Sequence, residues 1–461
     1  MQNHVLLLGA GGKTGASYAR LLQEHGHHVL WYDKNSNATP QGLTPSLTTH
    51  IPHDALDFTR LKNNFSVLTL TPGVPLSHPF IQEARNAGKK IISEVAYVAP
   101  YLINHTILGV TGTDGKSTTT TLTAQLLRAL GHDAIECGNF GIPLSQIILE
   151  GEKYKKTILV CELSSYQLEE PGDLKLNAGI FLNLAPDHLN RYASIEEYGL
   201  AKWNIASCLK KDAPLILVKN LTVGFTPYWK NAHPLNHFTQ PLLLVDTERL
   251  HAPHFHIEKD TLVFSSGEKS LTLDTLKIQG RHNWGNLLFA LEATQSVLKN
   301  PSVQFSPAIQ TLNPLPHRFE IIPQTAFPQI TFINDSKATT TQAALTALQN
   351  VKDTLFIFLG GQAKGERYHK LGERLKELEA HACIYGACQK EMAADFESVS
   401  FTTFTLHENL FKAFHAAKRM VIQQQISRAT LLLAPAVTSW DQFASFEERG
   451  DYFRELVAAL E

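Results

Sequence analysis

The residues Gly112 to Lys116 have the types and spacing of a loop that holds phosphate groups. A short apolar run that ends at Val110 predicts a buried strand, and the residues from Ser117 onward predict a helix, within the stretch 106–122. Backbone N–H groups at such a helix start point at an anion, Lys116 adds a compact positive charge, and the Ser117 hydroxyl is a ligand for Mg²⁺. The common pattern requires glycine where Val110 stands, but the two glycines and the Lys116–Ser117 pair still fit a phosphate-binding loop. The sequence therefore favours nucleotide binding. The alternative is a glycine-bearing turn with a solvated lysine.

Two strands that follow this loop are predicted to deliver further polar residues to the same sheet edge. The apolar run 157–161 ends at Glu162, and an acid that leaves a strand beside a phosphate loop is well placed to hold Mg²⁺. A carboxylate that caps the next helix is the alternative. The run 178–182 leads to Asp187 and His188, where a structural histidine and a ligand are equally good interpretations.

Three more polar residues fall on predicted helices. Lys202 lies on a helix that starts near Ser194, and taken alone it is a solvated helix lysine. Asn283 and Asn286 are three residues apart, so on a helix they share a face and could both donate hydrogen bonds to a base or a ribose. The alternative for Asn283 is a helix N-cap.

The carboxyl-terminal third of the sequence repeats the arrangement of strand and polar loop. Apolar runs at 329–333, 355–359 and 430–433 predict three strands. Polar residues at the carboxyl edge of a parallel sheet indicate a site, and these strands would bring there Asp335, Lys337, Lys364 and Ser439.

The amino-terminal hundred residues carry a weaker signature. A strand at 4–9 leads into a turn with Gly9, Gly11 and Gly15, and Asp33 follows the next strand. This is similar to a dinucleotide-binding turn with its acid, although the glycine spacing is one residue too long. A turn that begins at Thr71 lies where an open parallel sheet binds a ligand.

These alternating strands and helices predict an α/β fold with parallel sheets. A chain of 461 residues is long enough for about three domains. The pattern places them at 1–102, 103–305 and 306–461, with a proline-containing linker at 300–316 before the third.

The composition narrows the class of protein. The 41 basic and 43 acidic residues nearly balance, so no electrostatic footprint for nucleic acid is expected. No run of about 18 apolar residues occurs, which argues against membrane insertion. The five cysteines lack zinc-ligand spacing and are expected to be small buried side chains in a reducing cytoplasm.

In combination, four segments resemble the Mur ligase family: 162–169, 315–319, 334–339 and 439–443. The resemblance covers nearly the whole chain. It implies a Rossmann-like amino-terminal domain, a central P-loop ATPase-type domain with a mostly parallel sheet, and a carboxyl-terminal Rossmann-like domain. Among family members, the chain is most similar to those that use ATP and Mg²⁺ to join D-glutamate to UDP-N-acetylmuramoyl-L-alanine through an acyl phosphate. Such a protein is expected to be a cytoplasmic monomer that acts in peptidoglycan precursor synthesis.

The resemblance also implies roles for individual residues. Lys116, His188 and Lys202 would be catalytic, and Lys202 as a carbamate would hold metal together with Ser117, Glu162 and His188. ATP would contact Gly112, Thr113, Asp114, Gly115, Lys116, Ser117, Thr118, Asn283, Asn286, Arg318, Asp335 and Lys337. The UDP-linked substrate would contact Thr14, Asp33, Thr71, Gly73, Asn139 and His188. The amino acid would contact Thr339, Lys364, Ser439 and Phe446.

Three departures from the family pattern weaken the substrate assignment more than the ATP chemistry. Asp114 stands where the family commonly has asparagine, the segment 93–97 differs from the usual form, and Trp440 replaces a smaller apolar residue. The alternatives are therefore another Mur or folylpolyglutamate-type ligase, with a different acceptor or with L-glutamate. In other classes they are a non-ligating nucleotide-binding protein and an NAD-dependent oxidoreductase.

Overall fold

The structure is a computed structural model that describes residues 4–35, 39–188, 191–222, 238–300, 302–349, 351–363 and 365–460. The chain divides into two compact units. The first consists of Met1–Thr275 and Gly285–Leu312, and the second of Leu276–Trp284 and Asn313–Glu461. The three domain boundaries expected from the sequence stay a prediction.

The first unit begins with a five-stranded parallel sheet. Its strands are β1 (His4–Leu8), β2 (His28–Tyr32), β3 (Thr48–His50), β4 (Val67–Leu70) and β5 (Lys90–Ser93), in the order β3-β2-β1-β4-β5. The helices of this part are α1 (Lys13–Glu24), α2 (Phe58–Leu61), α3 (Pro79–Asn86) and α4 (Glu94–Val98). The order reverses at β1, so the loops after β1 and β4 lie at the switch point, where such sheets bind ligands.

The first unit also contains a six-stranded parallel sheet in the order β11-β10-β9-β6-β8-β7. Its strands are β6 (Ile107–Thr111), β7 (Ala134–Gly138), β8 (Ile158–Glu162), β9 (Ala178–Phe181), β10 (Leu215–Val218) and β11 (Leu242–Val245). Its helices are α5 (Lys116–Ala129), α6 (Leu144–Leu149), α7 (Gly151–Tyr154), α8 (Ser165–Glu169) and α9 (Ile195–Trp203). An antiparallel sheet follows, with β12 (Phe255–Glu258), β13 (Thr261–Phe264) and β14 (Leu271–Thr272). Then come α10 (Arg281–Leu298), within which the division between the units falls, and α11 (Phe305–Gln310).

The second unit is built on a six-stranded sheet in the order β15-β16-β20-β17-β18-β19, in which only the pair β15 and β16 is antiparallel. Its strands are β15 (Glu320–Ile322), β16 (Ile330–Asn334), β17 (Thr354–Gly360), β18 (His381–Tyr385), β19 (Phe404–His407) and β20 (Ala429–Leu433). Its helices are α12 (Thr341–Leu348), α13 (His369–Glu377), α14 (Gln389–Ser398), α15 (Leu410–Gln423) and α16 (Phe446–Ala458).

Burial on both faces explains why the central strands read as continuous apolar runs. In β17, Ile357 and Leu359 pack into one core, whereas Phe356 and Phe358 pack into a second core on the other face. Parallel sheets covered by helices on both sides have this pattern. The predicted α/β class with mostly parallel sheets is confirmed.

Most predicted elements are confirmed within one or two residues, and two details differ. Glu162 is the last residue of β8 and does not cap the helix that follows, since Ser164 caps α8 through a capping box with Gln167. The predicted linker 300–316 contains the helix α11, whose Phe305 and Ile309 are buried.

The five cysteines are buried and free, as expected. Among the described residues, no helix is long and apolar enough to cross a membrane.

Candidate active site

The phosphate-type loop joins β6 to α5 and depends on two glycines. Gly112 and Gly115 have φ angles of 147° and 80°, in the region that disfavours other residues. A Cβ atom at Gly112 would lie 3.0 Å from the Cβ of Leu182, and one at Gly115 would lie 2.5 Å from Oδ1 of Asn286. The second contact brings the predicted ATP-binding residue Asn286 to the loop.

Asn183, to which the sequence analysis gave no role, holds this loop in place. Its Oδ1 accepts hydrogen bonds from the backbone N–H groups of Thr113 (3.0 Å) and Asp114 (2.9 Å). Its Nδ2 donates to the carbonyl of Asp114 at 3.0 Å. The side chain of Asp114 is exposed, so this backbone clamp is what fixes the residue that departs from the family pattern. An asparagine directly after a buried strand was the signal available in the sequence.

Two lysines converge on one backbone carbonyl of the loop. The oxygen of Gly112 accepts from Lys202 Nζ at 2.7 Å and from Lys116 Nζ at 3.0 Å, and Lys116 also donates to Thr113 O at 2.7 Å. Lys202 is only 1% exposed, and its ammonium lies 4.5 Å from the centre of the Tyr198 ring. Burial, and then the charge of Lys116, hold the pKa of Lys202 well below its ordinary value. The interpretation of Lys202 as a solvated helix lysine is wrong.

Glu162 is the centre of a buried oxygen cluster beside the loop. Ser117 Oγ donates to Glu162 Oε2 at 2.6 Å, and Asn139 Nδ2 donates to Oε1 at 2.8 Å. Glu162 is 3% exposed and contacts no basic side chain in these bonds. A carboxylate and a hydroxyl are the oxygen ligands that Mg²⁺ prefers, so the donor set fits this ion.

His188 follows β9 in a tight turn. Its φ angle is 54°, its backbone N–H donates to Asp187 Oδ1 at 2.8 Å, and its side chain is 43% exposed. Burial lowers the pKa of His188, the nearby Asp187 charge opposes this, and Lys202 and Lys116 add to the lowering. The neutral ring that results is the form that binds metals or accepts a proton.

The residues predicted to bind the UDP-linked substrate lie mainly at the carboxyl edge of the first sheet. Asp33 accepts from the backbone N–H groups of Gly11 (2.7 Å) and Asn35 (2.9 Å), and therefore shapes the glycine-rich turn itself. Thr71 Oγ1 donates to Gly9 O at 3.0 Å. Thr14 lies in the first turn of α1, and Gly73 is in the loop after β4. Asn139 directly follows β7 of the other sheet, and its side chain donates to Glu162.

In the second unit, the predicted residues within the described part gather at the carboxyl ends of β16 and β20. Lys337 Nζ lies 4.1 Å from the centre of the Phe446 ring, which joins a predicted ATP ligand to a predicted amino-acid contact. Burial raises the pKa of Asp335 to about 7, although the hydrogen bond from the Phe319 N–H and the charge of Arg318 lower it. Thr339 N–H donates to Lys337 O at 2.7 Å.

Three further predicted residues of this unit have different surroundings. Ser439 is 2% exposed, whereas its neighbour Trp440 is 68% exposed. Asn283 lies inside α10 and not at its N-cap, and its Nδ2 donates to Gln279 O at 2.8 Å. Lys364 lies outside the described residues.

Arg449 on α16, which the sequence analysis did not single out, ties these loops together. It is fully buried, and its guanidinium donates to Ser336 Oγ at 3.0 Å and Ser336 O at 2.9 Å. It also donates to the carbonyls of Gly360 and Val437, both at 3.2 Å. One side chain thus fixes the loops that follow β16, β17 and β20.

The clamp at Asn183 gives a testable prediction. Removing the amide of Asn183 leaves the Asp114 N–H without its partner, whereas the Thr113 N–H keeps the backbone carbonyl of residue 183 at 3.1 Å. Because the Asp114 bond lies at the exposed surface, its loss costs about 0.5–1.5 kcal/mol. We therefore expect Asn183→Ala to raise the KM for ATP about twofold to tenfold, since about 1.4 kcal/mol corresponds to a factor of ten. Initial rates at varied ATP concentration measure this.

The control is Asn177→Ala. Asn177 Oδ1 accepts from the Ile107 N–H at 3.0 Å, at the opposite end of β6. The Asn177→Ala variant should have a lower melting temperature but an unchanged KM for ATP. Equal effects of the two variants on that KM would contradict the role of Asn183.

Known proteins resemble the chain in sequence and in fold. The family model of the Mur ligase middle domain matches residues 110–294. A UDP-N-acetylmuramoylalanine--D-glutamate ligase from Rippkaea orientalis is 32% identical, covering 97% of this chain and 98% of the relative. A ligase of the same name from Thermosynechococcus vestitus is 31% identical, again covering 97% of this chain and 98% of the relative.

Two solved structures share the fold at low sequence identity. The UDP-N-acetylmuramate-alanine ligase of Thermotoga maritima is 17% identical with a TM-score of 0.56, covering 99% of this chain and all of that one. The MurF ligase of the same organism, solved in complex with ADP, is 17% identical with a TM-score of 0.55, covering 99% and 96%. Because relatives at least 30% identical match over almost their full length, the chain belongs to the Mur ligase family.

Proposed function

We propose that this chain is an ATP-dependent ligase that joins D-glutamate to the alanyl carboxylate of UDP-N-acetylmuramoyl-L-alanine. The observation that carries the proposal is that Lys116, Lys202 and the Ser117–Glu162 pair come together around one loop. The relatives that match over nearly the full length carry the name of this activity. We place the reaction in peptidoglycan precursor synthesis, in the cytoplasm, with the chain acting as a monomer.

A carboxylate does not acylate an amine in water without activation. In the proposed reaction, the alanyl carboxylate takes the γ-phosphoryl group of ATP, which gives an acyl phosphate and ADP. The glutamate amine then attacks the acyl carbon, and the tetrahedral intermediate expels phosphate. Catalysis of the first step consists mainly of positioning and neutralising the transferred group.

The loop provides for the phosphates of ATP. The first N–H groups of α5 would face the phosphates of ATP, and Lys116 would exchange its two carbonyl partners for phosphate oxygens. The ADP complex of the Thermotoga maritima MurF ligase supports nucleotide use by this fold. When bound by Ser117 and Glu162, Mg²⁺ would neutralise charge on the phosphates.

Lys202 is well placed to become a carbamate. Only a neutral amine adds CO₂, and burial beside Lys116 favours the neutral form. The product is an anionic oxygen ligand at the same position, which removes the repulsion between two ammonium groups on one carbonyl. It would share a second metal with His188.

The remaining contacts follow the family pattern. Thr14, Asp33, Thr71, Gly73 and Asn139 would hold the UDP-linked substrate. Asn283, Asn286, Arg318, Asp335 and Lys337 would contact ATP, and Thr339, Lys364, Ser439 and Phe446 the amino acid. A lysine and hydroxyls suit the two carboxylates of glutamate.

The test is phosphate release from ATP in the presence of UDP-N-acetylmuramoyl-L-alanine. We expect release with D-glutamate and little with L-glutamate at the same concentration. A mixture without any amino acid is the control for uncoupled hydrolysis. Release that does not depend on the amino acid would reject the ligase, and a preference for L-glutamate would change the amino-acid substrate assigned to it.

A further inference from the structure

A charged pair outside the proposed reacting groups joins the helix after Glu162 to the turn that carries His188. Arg191 donates from Nε to Glu169 Oε1 at 2.8 Å and from Nη2 to Glu169 Oε2 at 2.6 Å. The two side chains are only 10% and 14% exposed. A bidentate pair with little solvent fixes orientation as well as distance.

Each member of this pair also has further partners. Arg191 Nη1 donates to the carbonyl of Pro72 at 3.3 Å, in the loop after β4. The guanidinium lies 3.9 Å from the centre of the Tyr166 ring. Glu169 Oε1 also accepts from the Tyr192 hydroxyl at 2.7 Å. The pair therefore connects α8 and the 71–73 loop with Tyr192.

The His188 turn is attached directly to this pair. The backbone N–H groups of Arg191 and Tyr192 donate to His188 O at 2.9 and 3.1 Å. The Tyr166 ring, which Arg191 covers on one side, lies 5.0 Å from the His188 ring, centre to centre. His188 has a positive φ angle, so its turn needs such support to persist.

We propose that Arg191 and Glu169 form a positioning pair that sets His188 and the 71–73 loop in a fixed geometry for the UDP-linked substrate. The guanidinium contacts Glu169, Pro72 and Tyr166. Because these contacts occupy it, we assign it the role of orienting its neighbours. This inference rests on the proposed function, because the group being oriented is His188, which would contact the UDP-linked substrate.

The test compares Arg191→Lys, Arg191→Ala and Glu169→Gln with the unaltered chain in steady-state ligase assays. We expect each variant to lower kcat/KM for UDP-N-acetylmuramoyl-L-alanine about tenfold to a hundredfold, since small misplacements near the chemistry have effects of this size. The KM for ATP should stay within about twofold, since none of the bonds of the pair reaches the phosphate loop. Arg191→Lys should not restore kcat/KM, because lysine keeps the positive charge but lacks the planar guanidinium that makes two parallel hydrogen bonds.

A matched control stands one residue further along the chain. Arg85 on α3 and Glu170 form an ion pair at 3.0 Å that also joins the first sheet's helices to the end of α8. This pair is 46% and 38% exposed. Exposed ion pairs contribute little to stability. Arg85→Lys and Glu170→Gln should therefore leave both kcat/KM for the UDP-linked substrate and the KM for ATP unchanged.

Combination of Arg191→Ala with Glu169→Gln should be no worse than the worse single variant, as expected for one functional pair. Ligase kinetics of Arg191→Lys and Glu169→Gln within twofold of the unaltered chain would overturn the role of the pair. The role of the pair would also be overturned if kcat/KM fell equally for ATP and for the UDP-linked substrate, in proportion to the fall in melting temperature. An unaltered chain that shows no amino-acid-dependent activity would instead overturn the proposed function, and this inference with it.

Discussion

Lys202→Ala is expected to lose ligase activity by about a thousandfold or more, the size of effect seen when a preorganised charge is removed from a reacting site. The expected cause is loss of the anionic oxygen ligand that a carbamate would supply. Short-chain carboxylic acids should restore part of the activity, because a carboxylate can enter the space left by the side chain and offer the same oxygens. Phosphate release with and without such an acid measures both effects.

Lys210→Ala is the matched control for this variant. Lys210 Nζ also donates to a backbone carbonyl, that of His105 at 3.2 Å, but at the other end of the same sheet. It should show no rescue by acids and little loss of activity. Mass spectrometry under CO₂ gives an independent measure, and an active chain with unmodified Lys202 would refute the carbamate.

Glu162→Gln is expected to reduce kcat about a hundredfold or more and to raise the Mg²⁺ concentration that gives half-maximal rate. Glutamine keeps the size and one acceptor but removes the charge, so Ser117 and Asn139 lose an anionic partner while the fold keeps its packing. A Mg²⁺ titration of the initial rate at saturating ATP measures the two changes.

Glu136→Gln provides the comparison. Glu136 lies on the neighbouring strand β7, and its carboxylate pairs with Arg128 at 3.0 Å, away from the phosphate loop. It should leave the Mg²⁺ dependence unchanged. A Glu162→Gln variant with an unaltered Mg²⁺ dependence would assign the metal to other ligands.

The sequence predicted the elements well because each buried parallel strand is an apolar run followed by a polar loop. It placed Glu162 correctly at the end of β8 and His188 in the segment that follows β9. It could not place Lys202, since a single lysine on a helix has no local signal of burial. Only the packing of α9 beneath the loop puts that amine on the carbonyl of Gly112.

The residues that the sequence analysis missed act through backbone groups. Asn183 binds the N–H groups of the phosphate loop, and Arg449 binds the carbonyls of Ser336, Gly360 and Val437. Such contacts link positions far apart in the chain and require no particular residue type at the partner. A motif search therefore finds the groups that do the chemistry and overlooks the groups that hold them.

The strand order of the second unit has a consequence for the time course of synthesis. β16 and β17 do not pair with each other, because β20 lies between them, and β20 is made last of the six strands. The helix with Arg449 comes later still. While the chain leaves the ribosome, the sheet stays in two separate halves with open edges until β20 has emerged. This sheet can therefore close only after all six of its strands have been made.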